Sequence, residues 1–248
     1  MKRLFFYLTV ISVITCSLQS YANEQIRICT NSYEPYYGEN MADFGPFIKI
    51  TVLALKEAGY DAEVKFLPWL RCLNEGKKGI FDMIVGVWWL NTERESWTAY
   101  TDGILENEVG LYKRKYDKLV FKNYADLKEK NVVVGTVHGY INPESFVQTG
   151  IKTEQVTKDL QNMEKLLANR IRLVLVDKNL GAYLLKKQGE ENEIEWLVTL
   201  QKIPLRNGIM KNAKGDWVKK LDDFNNGLWI LKEQGVVEKI LKEYDIQF

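Results

Sequence analysis

Apolar and polar residues alternate over 25–30, where Ile26 and Ile28 share one face and Gln25 and Arg27 the other, the period of a half-buried strand. Residues 31–43 are polar and rich in Tyr, Gly and Pro, which reads as a loop. Over 47–58, Ile48, Val52 and Leu55 recur at helical spacing, and Gly59 suits a C-terminal cap. Segment 61–67 reads as a second strand, 69–77 as a short helix closed by Gly79, and 81–87 as a third strand, apolar from Met83 to Val87. Strand–helix–strand–helix–strand predicts right-handed crossovers and a largely parallel sheet.

A strand over 108–114 runs into a lysine-rich connection, and the pattern then restarts. The spacing predicts a brief helix at 124–128, an apolar strand at 131–135 that meets a turn at 136–140, a strand at 171–176 ending at Asp177, and a helix at 180–187. Strands at 196–200 and 207–210 precede a helix from 216 to about 233; Gly235 interrupts it, and 236–244 is the last helix. Two α/β units of similar design, joined where strands cross between them, fit this pattern better than one continuous sheet.

The first residues add an address. Lys2 and Arg3 precede an apolar run at 4–14 that is short for a membrane span, and Ser20 and Ala22 offer small residues to a signal peptidase. Cys16 lacks the small residue that usually precedes a lipidated cysteine. The expectation is a signal peptide over 1–22, an exported chain from Asn23, and a periplasmic location. Cleavage after Ala22 removes two bases and no acid, which turns the formal charge from +1 to −1. That balance argues against nucleic acid and against an anionic membrane surface as partners. Cys29 and Cys72 remain, an even count for an oxidising compartment, and are read either as a disulfide or as two buried thiols.

Catalytic and cofactor motifs are missing. There is no phosphate-binding Gly-rich loop ending in Lys-Ser/Thr, no Gly-x-Ser-x-Gly elbow and no metal-ligand spacing of Cys and His, so no cofactor or metal is expected. His138 is the one histidine and sits in a Gly-flanked turn without a neighbouring nucleophile. Recognition chemistry is left. Trp88, Trp89 and Arg94 follow the third strand, where a guanidinium can fork onto a carboxylate while rings exclude water. Gly135, Gly139 and Tyr140 offer backbone N–H groups, and Asp177 at a strand end could receive an ammonium. The plainer readings stay open: Arg94 paired on the surface with Glu93 or Glu95, and Asp177 as the N-cap of the next helix.

In this order the chain resembles the family 3 extracellular solute-binding proteins, receptors for polar amino-acid uptake. Tyr33, Glu34, Pro35 and Tyr36 are similar to the family's Tyr-Pro-Pro-Phe loop, Gly45 to its Gly-Phe turn, and Trp69 to the tryptophan before its second helix. Residues 79–82, 92–94, 126–128, 134–139, 175–177 and 226–235 follow as its later motifs. The resemblance implies a two-lobe α/β fold, with 23–111 and 207–248 in the first lobe, 112–206 in the second, and a ligand cleft between them. Arg94 would then clamp a ligand carboxylate, Asp177 an amino group, and the turn of His138, Gly139 and Tyr140 would add donors. Tyr33, Tyr36, Trp69, Trp88 and Trp89 would wall the pocket. The implied role is a non-enzymatic, monomeric receptor that hands a small polar ligand to an ABC-type importer or a separate sensor. The alternative is an enzyme on the same fold, similar to a cyclohexadienyl dehydratase, with Glu34 or Asp177 as general acid. Trp89 and Asn91 replace the family's small or hydroxyl residues, and Pro46, Ile48 and Lys49 its acids, which admits a bulkier, aromatic or non-amino-acid ligand.

Overall fold

The computed structural model describes residues 23–88, 92–244 and 246. The leader over 1–22 and Trp89 lie outside the described residues. In chain order the elements are β1 (Glu24–Thr30), α1 (Pro46–Glu57), β2 (Tyr60–Phe66), α2 (Trp69–Lys77), β3 (Met83–Trp88), α3 (Thr92–Glu95), β4 (Thr98–Tyr100) and β5 (Leu105–Arg114). There follow α4 (Tyr124–Glu129), β6 (Val134–Val137), α5 (Glu144–Val147), β7 (Thr153–Val156), α6 (Asp159–Leu167), β8 (Leu173–Asp177), α7 (Lys178–Gln188), β9 (Ile194–Met210), α8 (Trp217–Glu233) and α9 (Val236–Glu243).

Strand order is β2-β1-β3-β9-β5-β8-β6-β7, with β4 against β9. Both ends are parallel: β1 with β2 and β3, and β6 with β7 and β8. The centre is antiparallel, because β5 and β9 run alongside each other over most of their length. Helices flank a mixed sheet in the two-lobe α/β architecture expected, but the strands of both units form one continuous sheet, against the reading of separate sheets, because β5 and β9 run through both and pair with each other. The two short strands read at 196–200 and 207–210 are one strand, despite Pro204. β9 pairs with β5 up to Leu205 and with β3 from Leu205 onward. Pro204 therefore stands where one edge of β9 has not yet gained a partner, and its missing N–H costs no ladder bond. The hydrogen-bonded ladder is continuous for that reason.

The strand read at 131–135 begins later, at Val134. Asn131 has φ of +50°, which turns the chain before the strand can start, and Val132 is buried by packing rather than by pairing. The short α3 and β4 replace what reads as a plain polar turn.

The C-terminal helices pack on α1, and α8 also on β9. Lys220 of α8 is buried and reaches the Asp82 carboxylate at 3.1 Å and Glu24 at 3.0 Å, while Arg27 Nε donates to Asp82 at 2.8 Å. A buried lysine matched by carboxylates from β1 and from just before β3 fixes where α8 lands. Gly227 sets how closely: a Cβ there would lie 2.1 Å from the Ala54 carbonyl oxygen of α1. Gly227→Ala is expected to push α8 from α1 and cost about 1–3 kcal/mol, readable as a lowered urea midpoint. An unchanged midpoint would show that the helices separate freely.

Cys29, in β1, and Cys72, in α2, are joined as a disulfide with Cα atoms 5.8 Å apart. Trp69, Phe81, Ile84, Val87, Trp97 and Met210 pack around it as a separate apolar cluster. The bond ties the end of a sheet strand to the helix whose first residue, Trp69, reaches the cavity described next.

Candidate ligand-binding site

The loop after β1 folds back on itself. Tyr33 N–H donates to the Tyr37 carbonyl at 2.7 Å, and the Tyr33 ring stacks on Tyr36 and Tyr37 with centroids 5.8 and 5.7 Å away. Gly86 in β3 has φ of +80°, and a Cβ there would lie 1.8 Å from the Tyr37 hydroxyl oxygen, so only bare backbone lets that ring lie flat against the strand. The result is a tyrosine wall on the carboxyl end of the first parallel strands, the usual place for a ligand in an open α/β sheet.

A narrow, partly open cavity lies against this wall, lined by Asn31, Tyr33, Tyr37, Trp69, Gly86, Trp88, Arg94, Tyr140, Ile141 and Leu205. The rings of Tyr33, Trp88 and Tyr140 lie 6.3 Å from one another, each pair steeply inclined, and Trp69 meets Tyr140 at 6.5 Å. Trp88 is held by its Nε1 donating to Asn107 Oδ1 at 2.8 Å. Arg94 enters from α3. Its guanidinium carbon is 5.9 Å from the Trp69 ring centroid, and Nη2 donates to the Gly139 carbonyl at 2.5 Å. Trp69 Nε1 donates to that same oxygen at 3.2 Å. Burial depresses the Arg94 pKa below the ordinary arginine value, opposed by Tyr100 and Glu93. A half-buried guanidinium beside rings is what a ligand carboxylate would find strongest.

The structure thus gathers Tyr33, Trp69, Trp88, Arg94 and Tyr140 from the residues named by sequence, with the Gly139 carbonyl against Arg94 and Trp69, while Tyr36, His138 and Asp177 stay out of the lining. The turn after β6 differs from the donor site read there: His138 N–H is taken by the Val156 carbonyl at 2.9 Å and Tyr140 N–H by the Val137 carbonyl at 3.1 Å. No helix continues the turn, since α5 starts at Glu144. It is the Gly139 carbonyl that meets α2 and α3. The φ of +79° at Gly139, with Leu70 2.6 Å from where a Cβ would be, explains the glycine. The His138 side chain is exposed and outside the cavity lining.

Asp177 is likewise not in the lining. It is 0% exposed and N-caps α7, its Oδ1 accepting from Leu180 N–H at 2.8 Å and from the Tyr36 hydroxyl at 3.0 Å. Tyr36, also 0% exposed, accepts from Asn179 Nδ2 at 3.0 Å and stands between Asp177 and the cavity instead of walling it. Burial pushes the Asp177 carboxyl up to about 7 against the pull of these bonds. Sequence reading missed Tyr37, whose signal was its place four residues after Tyr33 in a folded-back loop. It also missed Asp159 at the start of α6, which accepts from the Tyr140 hydroxyl at 2.8 Å and is pushed by burial to about 6. Nothing local marks Asp159, because its partner is reached only through the fold.

No protein-family description matches the chain, and no curated protein sequence does either. Solved structures do. A histidine kinase sensor domain with similarity to periplasmic binding proteins superimposes with TM-score 0.79 at 18% identity, over 90% of this chain and 97% of that one. The fold is that of the periplasmic binding proteins. The arginine-, lysine-, histidine-binding protein ArtJ of Geobacillus stearothermophilus follows with TM-score 0.74, 15% identity and coverage of 90% and 96%. The ancestral amino acid-binding protein AncCDT-1, a precursor of cyclohexadienyl dehydratase, gives 0.72 at 19% identity over 89% and 94%. In the periplasmic binding protein fold of this chain, Arg94 and Trp69 come from the β1–β4 side and Gly139 and Tyr140 from the β6–β8 side. The cavity therefore lies between the lobes.

Proposed function

We propose that the chain is an exported solute-binding protein that closes two lobes over a small carboxylate-bearing ligand, an amino acid or a related acid. The observation that carries this is Arg94, half-buried in an aromatic cavity, its guanidinium donating to a neutral carbonyl and lying over a ring. The carbonyl comes from the opposite lobe, so a carboxylate taking its place would touch Arg94 directly and leave the Gly139 side to close from above. Ligand then favours closure by contacting both lobes at once. Residues 23–111 and 207–248 form the first lobe and 112–206 the second, and the lobes swing where β5 and β9 cross. A disulfide suits a periplasmic location. The partner is an ABC-type permease, in a role of delivery by a single copy. Sensing through a separate signalling protein is a second reading, favoured by the similarity to a kinase sensor domain. Catalysis on this fold would need a general acid in the cavity, and neither Glu34 nor Asp177 lines it.

Calorimetry with the amino acids and small carboxylates, on wild type and Arg94→Ala, tests the binding reading. Loss of a charge-assisted hydrogen-bonded pair is expected to weaken the bound ligand about 10- to 100-fold. Equal affinity in both proteins would remove Arg94 from the site.

A further inference from the structure

Among the described residues, the cavity lining carries one full positive charge, at Arg94, and no carboxylate. Its other polar groups are neutral: the Asn31 amide and the tyrosine hydroxyls, of which that of Tyr33 is buried without a hydrogen-bond partner among the described residues. Asp159 and Asp177 both lie behind tyrosines and outside the lining, Asp159 accepting from the Tyr140 hydroxyl and Asp177 Oδ1 from that of Tyr36, while Asp177 Oδ2 is buried without a hydrogen-bond partner among the described residues. Five aromatic side chains make up most of the remaining surface. Resting on the binding reading above, we infer that the ligand is an ammonium-free carboxylate with an aromatic body, its acid group on Arg94 and its ring among Tyr33, Trp88 and Tyr140.

An α-amino acid needs an acceptor for three N–H donors as well as a base for its carboxylate. Here an ammonium would leave water for a lining that offers only neutral oxygens, beside a guanidinium that repels it, and a buried unpaired charge is costly. A carboxylate meets the opposite situation. The Arg94 fork and the free Tyr33 hydroxyl are donors, and the rings bury an apolar body with favourable inclined contacts. A free quaternary ammonium would suit the rings alone but not Arg94 within the same narrow cavity.

The test is calorimetry of the wild-type exported chain at pH 7.5, a condition of about neutral pH chosen near the Asp177 range, against 3-phenylpropanoate, L-phenylalanine, 3-phenylpropanamide and glycine betaine. The first two share a skeleton and differ by the α-ammonium; the amide keeps the ring and removes the charge. Phenylpropanoate is expected to bind at least about tenfold tighter than each of the other three, tenfold being about 1.4 kcal/mol. The inference is overturned if L-phenylalanine or betaine binds as well or better, if the amide equals the acid, or if phenylpropanoate does not bind. Arg94-dependent binding of amino acids would sink this inference and leave the two-lobe receptor standing. Absence of binding by every acid and amino acid tried would sink both.

Discussion

A Cys29→Ala, Cys72→Ala double variant is expected to lose about 4 kcal/mol of unfolding free energy. The bond joins positions 43 residues apart, and constraining an unfolded loop of that length stabilises the folded chain by roughly this amount on the chain-entropy account. Both cysteines are fully buried among Trp69, Ile84, Val87 and Met210, so the substitutions also leave part of that cluster underpacked. Urea unfolding followed by tryptophan fluorescence reads the change as a lower midpoint at constant slope. A midpoint shift equivalent to under about 1 kcal/mol would mean the fold holds α2 against β1 without the covalent link. Because Trp69 opens α2, the reduced protein should also lose ligand affinity before it loses structure.

Asp177→Asn is expected to change how stability depends on pH. The folded carboxyl titrates near 7, above its ordinary value of 3.8, so the folded chain holds a proton that the unfolded chain has already released. The sign follows from linkage: this contribution is present in full below about pH 4 and is lost as pH rises through 7, at most about 4 kcal/mol at about 1.4 kcal/mol per unit. Asp159 acts in the same direction over a shorter range, to about 6. Asp117, held near 2 chiefly by its bonds from Arg172, acts in the opposite direction at lower pH, so the whole-protein curve is a composite. The difference between variant and wild type isolates Asp177. Asparagine can still cap Leu180 and accept from Tyr36, and it carries no charge to bury. Thermal midpoints from pH 4 to 8 should therefore show the variant gaining on wild type as pH rises. A constant difference across that range would place the Asp177 carboxyl in a solvated setting that the fold contradicts.

Legibility followed the range of the forces involved. Helices announced themselves through spacing and caps: α2 runs from Trp69 to Lys77 as read, and Gly235 in the left-handed region divides α8 from α9. The parallel β1, β2 and β3 unit was readable because each strand's apolar face is written locally. What failed to show was set by partners far along the chain. Pro204 reads as a break, but whether it breaks depends on which neighbour β9 has at that point. Asp177 at a strand end reads equally as a cap or as an ammonium site. The tyrosine that occupies it is 141 residues away, beyond what spacing can reveal. The same holds for Asp159 and Tyr140, and for a turn whose carbonyl, rather than its N–H groups, meets the other lobe. Arg94 and the tryptophans, by contrast, combine scarce residue types within one short stretch.

Leu205 is where β9 exchanges β5 for β3 as its partner, and it also lines the cavity. If the lobes swing about that exchange, a ligand touching Leu205 rests at the axis, where the walls move least. Groups near the axis sense shape but have little leverage, whereas Arg94 and the Gly139 carbonyl it meets stand on opposite lobes and come together only as these close. Fit would then be judged at the pivot and closure driven at the rim, so two solutes could bind with equal strength and still hold the lobes at different angles. A permease or sensor that reads that angle would distinguish them.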